Sequence, residues 1–196
     1  KRMTVYLIIF LCLYFGKSTS NVAKTVMAVV SRVHGRQPGD FSEAALSKAR
    51  LTVGASTLHS LFCSVCTPIS TPDETPGAFY KGFRLTSIDG SDLDLQNVGQ
   101  VSAVFSVADA DGESGHKVPK LRFNGILDIG SRALFDAECG AYTEQSEQTL
   151  AGKLLDRLPA GCLLLGDRYY SSVANMKKII QRGSHFLFRL KKNRKR

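Results

Sequence analysis

Tryptophan is absent from this 196-residue sequence, cysteine is sparse, and apolar runs are short. The five cysteines, Cys12, Cys63, Cys66, Cys139 and Cys162, form an odd and scattered set. A chain of this size can bury a core without disulfides, so the pattern argues against a disulfide framework and for a reducing, cytoplasmic compartment. The most hydrophobic stretch, residues 5–15 (VYLIIFLCLYF), stops after eleven residues, whereas a membrane-spanning helix needs about 20. No membrane partner is expected. The basic Lys1-Arg2 start also fits a secretory signal, but the following Gly-Lys-Ser-Thr-Ser-Asn lacks an A-x-A-like cleavage site, which favours a buried core helix. With 17 glycines, 6 prolines and 43% hydrophobic residues, the composition excludes a collagen-like or generally disordered chain.

Acidic residues, 17 in all, are outnumbered by 26 Lys and Arg, and the net charge of +9 is uneven. Residues 1–80 carry +4, residues 81–188 carry −1 and residues 189–196 carry +6. Basic ends around a near-neutral middle suit a polyanionic partner, although surface charge also serves solubility. A start at Lys1 instead of Met, and a run of basic residues directly after a strand, are what a fragment would show.

Along the chain, Ser20 can cap a helix over residues 21–33, where Val22, Val26, Val29, Val30 and Val33 recur at three and four. Ser42 can cap the next, which holds Ala44, Ala45, Leu46 and Ala49. Residues 1–66 are therefore expected to be a helical region, and residues 67–82, with Pro68, Pro72, Pro76 and Gly77, a linker. From Phe83 the period changes. A strand over 83–88 is followed by a long loop over 97–119 and by an alternating strand, Leu121, Phe123, Gly125, Leu127 and Ile129, whose partner spans 133–141. Leu150, Leu154, Leu155 and Leu158 mark one face of a helix, residues 162–165 are an all-apolar strand, Ser171 or Ser172 caps another helix, and residues 185–190 are a last strand. Strand, hairpin, helix, strand, helix, strand is the order of an α/β domain with a mixed sheet.

Asp89 and Asp167 each follow a strand expected to be central. A carboxylate there must be solvated, paired or bound to a cation. Either each caps the turn that follows, or the pair shares a hard divalent ion; the residues alone favour neither. Cys63-Ser-Val-Cys66 is a single CxxC, read as two packed thiols in preference to zinc. Asp109, Asp111 and Glu113 are too few for a Ca²⁺ loop, and the four histidines are dispersed.

The runs R-L-T-S-I-D-G-S (84–91) and P-A-G-C-L-L-L-G-D-R-Y-Y-S (159–171) resemble the first and second aspartate motifs of bacterial DDE transposases of the insertion-sequence-four group. Ala137, Gly140, Tyr142 and Glu147 are similar to that family's A-x-x-G-x-Y-x-x-x-x-E pattern, as are F-L-F-R-L-K-K-N (186–193) and the upstream F-S-E-A-A-L-S-K-A-R-L (41–51). The resemblance implies a ribonuclease-H-like mixed sheet over residues 83–196, here incomplete, preceded by the all-α region. It implies Mg²⁺ or Mn²⁺ held by Asp89 and Asp167, double-stranded DNA (element ends and target) as partner, and a homodimer in the intact family member. The family's third ligand is a Glu in a downstream Y-x₂-R-x₃-E-x₆-K motif, and no Asp or Glu follows Asp167 here. The expectation is a transposase fragment inactive by itself, or a remnant or DNA-binding regulator without catalysis. Candidate DNA contacts are Lys24, Arg32, Arg36, Lys48, Arg50, Arg168, Lys191 and Lys192. Glu147 is expected only to favour the dipole of its helix from the first turn.

Overall fold

A computed structural model describes residues 2–35, 42–105 and 118–190. The chain divides into two compact units, Lys1–Val65 and Cys66–Arg196.

The first unit holds α1 (Arg2–Leu13), α2 (Thr19–His34) and α3 (Glu43–Val65). Leu7 of α1, Val22, Ala23 and Val26 of α2 and Leu46 of α3 form its core. The apolar run of α1 is a helix, but not the buried one expected. Leu7 is 2% exposed while Tyr6, Ile9 and Leu13 are 44%, 39% and 71% exposed. Three helices of this size have too little mutual surface to cover a helix that is apolar all round. Among the described residues no helix is long and apolar enough to cross a membrane. The cap of α2 is Ser18, not Ser20: its side chain accepts the Asn21 N–H at 3.3 Å, and Gly35 in the left-handed region closes the other end. Ser42 accepts the Ala45 N–H at 3.1 Å as expected. Helix α3 breaks at Gly54, whose φ of 72° and ψ of 159° belong to a region open only to glycine. Cys63 is exposed on α3, so the expected packing of two thiols does not hold.

In the second unit, residues expected to be a linker contain a 3₁₀ turn (Pro76–Ala78) and β1 (Phe79–Tyr80), which pairs with the start of β2. The strands β2 (Phe83–Asp94), β3 (Lys120–Asp128), β4 (Ala133–Ala141), β5 (Cys162–Gly166) and β6 (His185–Phe188) lie in the order β4-β3-β2-β5-β6. β2, β3 and β4 are antiparallel neighbours, and β5 and β6 continue the sheet in parallel. This is a mixed sheet, as the expected α/β class requires. The strand expected to stop at Ile88 runs on to Asp94, because β3 offers it partners from Thr86↔Asp128 to Asp94↔Lys120. Residues expected to be loop include α4 (Gly99–Phe105).

Helices α5 (Glu147–Arg157) and α6 (Val173–Gln181) cover one face. Leu154, Leu155 and Leu158 pack there with Ile88, Ile126, Leu164 and Ile179. Ser146 and Ser172 cap the two helices by accepting the N–H groups of Thr149 and Asn175 at 3.0 and 3.2 Å. On β3 the fully buried side chains are Asn124, Ile126 and Asp128, whereas Leu121, Phe123 and Leu127 of the alternating apolar set are half-buried. Gly125 interrupts that set because a Cβ there would lie 2.5 Å from Leu134 Cδ1.

Candidate active site

The pairing of β2 with β5 fixes where the two aspartates stand. Its parallel register runs from Arg84↔Cys162 to Ser87↔Leu165, so two further steps along each strand lead to Asp89 and Asp167. Asp89 is not at a strand end, as its sequence context suggested; it lies inside β2, paired with Gly125 of β3, beyond the point where β5 stops. Asp167 directly follows Gly166, the last residue of β5. Both are exposed. Asp89 Oδ1 accepts the Gly90 N–H at 2.9 Å, and Asp167 Oδ1 accepts the Tyr169 N–H at 2.7 Å, so Asp167 does cap its turn.

The sequence reading missed the role of Glu147 and Tyr170. Tyr170, 1% exposed, donates its hydroxyl hydrogen to Glu147 Oε1 at 2.5 Å and accepts from Asn124 Nδ2 at 3.1 Å. Its proton is held far above the ordinary phenol range, first by burial, then by the hydrogen bond and charge of Glu147, and then by the charges of Asp89 and Asp167. Those three carboxylates therefore bear on one hydroxyl. Asn124 is fully buried and its Oδ1 has no hydrogen-bond partner among the described residues. A signal for Glu147 is present in the sequence, since it ends the A-x-x-G-x-Y-x-x-x-x-E pattern, but its partner is 23 positions away and local spacing shows only a helix start. Glu138 is committed elsewhere, to Arg157 at 2.6 Å, and Glu144 is exposed in the turn before α5.

Arg168 is exposed in the turn beside Asp167. Lys24 and Arg32 are exposed on α2, and Lys48 and Arg50 are exposed on α3. Two positions apart on a helix, Lys48 and Arg50 do not share a face. Arg36, Lys191 and Lys192 lie outside the described residues, as do Asp109, Asp111 and Glu113.

Two carboxylates at matching positions of adjacent strands suit a hard, oxygen-preferring cation such as Mg²⁺, which commonly takes one or two protein carboxylates and keeps waters. Among the described residues, no three or more His, Cys, Asp or Glu side chains converge on one point that could hold a metal ion.

No curated protein matches the sequence. Among solved structures, a piggyBac transposase synaptic complex with hairpin DNA is similar over 98% of this chain and 41% of its own, at 12% identity and a TM-score of 0.47. A Mos1 transposase paired-end complex with the left transposon end is similar over 94% of this chain and 57% of its own, at 12% identity and a TM-score of 0.36. The chain thus spans about half the length of these proteins. A family model described as the transposase DDE domain matches residues 81–196, which is more than half of the sequence and includes both aspartates, and on that match the chain belongs to the DDE transposase family.

Proposed function

We propose that this chain carries the first two acidic residues of a Mg²⁺- or Mn²⁺-dependent DNA transposase of the insertion-sequence-four group, and that Asp89 and Asp167 hold the ion. The observation that supports this is the parallel register of β2 with β5, whose last pair, Ser87↔Leu165, lies two residues before each aspartate. Asp89 and Asp167 would hold a divalent ion, and the chemistry two such ions would supply is activation of the attacking water or 3′-hydroxyl by one, stabilisation of the leaving oxygen by the other, and neutralisation of phosphate charge. The protein's part is positional. The Tyr169 N–H would hold one oxygen of Asp167, and the exposed Arg168 beside it would meet a phosphate. Double-stranded DNA is the proposed partner, through Arg168 and the basic residues Lys24, Arg32, Lys48 and Arg50 of the helical unit. A homodimer and a cytoplasmic location remain part of the proposal.

The test is Mn²⁺ binding to the full chain, monitored by the loss of the free-ion electron paramagnetic resonance signal. Asp89→Ala and Asp167→Ala should each abolish binding. Affinity unchanged in both variants would overturn the assignment.

A further inference from the structure

The turn that bears Asp167 is held by α5. Gln148 Nε2 donates to the Tyr169 carbonyl at 2.5 Å, and Gln148 Oε1 accepts from Asn175 Nδ2 at 3.0 Å. The same Asn175 amide donates to the Tyr170 carbonyl at 3.1 Å. One residue earlier, Glu147 takes the Tyr170 hydroxyl hydrogen at 2.5 Å. Its carboxylate also lies against β2: a Cβ on Gly90 would sit 2.8 Å from Glu147 Oε1, a separation real Cβ atoms do not tolerate. Asn124, which pairs with Gly90 across β2 and β3, donates to the same phenol oxygen. Three elements therefore meet at one buried hydroxyl: the start of α5, the middle of β3 and the turn after β5. A buried hydroxyl with both donor and acceptor satisfied has one position, and either lost partner leaves a polar atom unpaired.

We propose that Glu147 is a positioning residue for the acidic pair: through Tyr170 it pins the Asp167 turn against Gly90, the neighbour of Asp89, and so sets the spacing at which both carboxylates meet a divalent cation. This rests on the reading of Asp89 and Asp167 as metal ligands. Glu147 acts through a hydrogen bond and not as a ligand, since it does not converge with the two aspartates into a metal-holding set among the described residues. Gly90 belongs to the device because any side chain there would push the Glu147 carboxylate away.

The two roles separate in one series on the full chain, with Mn²⁺ affinity as the readout and circular dichroism melting as the control for folding. Glu147→Ala and Tyr170→Phe should each weaken Mn²⁺ binding by about 10-fold or more, the usual effect of losing an orienting partner behind a ligand. Glu147→Gln keeps an acceptor oxygen for the tyrosine and should stay close to the parent, whereas a metal ligand would be lost as fully in Gln as in Ala. Should Tyr170→Phe fail to fold, Gly90→Ala decides, because it displaces the carboxylate and leaves the phenol in place. Equal affinity in parent, Glu147→Ala and Gly90→Ala, while Asp89→Ala abolishes binding, would overturn the positioning role alone. Equal loss in Glu147→Gln and Glu147→Ala would overturn it in favour of ligation. Binding that survives Asp89→Ala and Asp167→Ala would remove the metal site itself, and the positioning role with it.

Discussion

Asp128 has no exposed side-chain surface and stands opposite Thr86 at the end of β3. Burial by itself would raise its pKa; hydrogen bonds from the Ser131 hydroxyl and the Ser70 N–H, with the charge of Arg84, outweigh burial and hold it below the ordinary carboxylate range. Ser131 Oγ lies 2.7 Å and Ser70 N 3.0 Å from Oδ2, and Arg84 Nη1 lies 3.5 Å from Oδ1. A depressed folded value means that this stabilisation is complete above the unfolded carboxyl value of about 3.9 and is lost as the pH falls from there through the folded value. Asp128→Asn should cost about 2 kcal/mol at neutral pH, the usual worth of hydrogen bonds to a charged group, and should flatten the acid limb of a denaturant-stability curve. An acid limb unchanged in the variant would show that Asp128 is not the group responsible. Nothing in the sequence marks Asp128 as inward. The alternating apolar residues of β3 pointed to the other face, and the buried face instead carries Asn124 and Asp128, each tied to residues far along the chain. Long-range partners of this kind leave no periodic trace, which is why the pattern that ends at Glu147 does not reveal its bond to Tyr170.

At the scale of elements, the parts that declare themselves locally are those whose own residues decide their form. Helix α5 has Ser146 as cap, Leu150, Leu154 and Leu155 on one buried face, and Arg157 in its last turn, where it pairs with Asp136 at 2.8 Å. β5 is apolar throughout, with Cys162 and Leu164 buried in the core and Leu163 and Leu165 half-buried. β2 is the counterexample. Asp-Gly-Ser reads as a turn, but the ladder to β3 carries the strand through it, and tertiary pairing overrides local preference. Because α5 both fills the core and grips the Asp167 turn, two substitutions in it should behave differently. Leu154→Ala removes a side chain with no exposure and should cost about 2–5 kcal/mol in chemical denaturation. Ser146→Ala removes only the cap and should cost about 1 kcal/mol. A cap loss far below that would mean that the first turn of α5 is held by its contacts to the 167–175 segment and not by its own end.

Taken whole, the molecule comprises a helical unit and a sheet unit and carries a net charge of +9, on which the proposed binding of DNA can be tested. Duplex binding should weaken steeply with salt, with the logarithmic slope falling by about 0.9 for each phosphate contact removed. Replacing Lys24 and Arg32 together by Gln should therefore flatten the slope measurably, and an unchanged slope would take α2 out of the interface. Cutting is a stricter demand than binding. Two-ion phosphoryl transfer needs enough carboxylate oxygens to fix both ions, and this sequence supplies no Asp or Glu after Asp167. Among earlier acids, Glu138 is paired with Arg157 and Glu147 is engaged by Tyr170. The 196-residue chain is accordingly expected to bind Mn²⁺ and DNA without nicking DNA that carries the element's ends, in Mg²⁺ or Mn²⁺. Specific nicking that disappears in Asp89→Ala would show that a third ligand is supplied from within the chain. If it disappeared equally in Glu147→Gln, that ligand would be Glu147, brought onto the metal when the Tyr170 hydrogen bond is released.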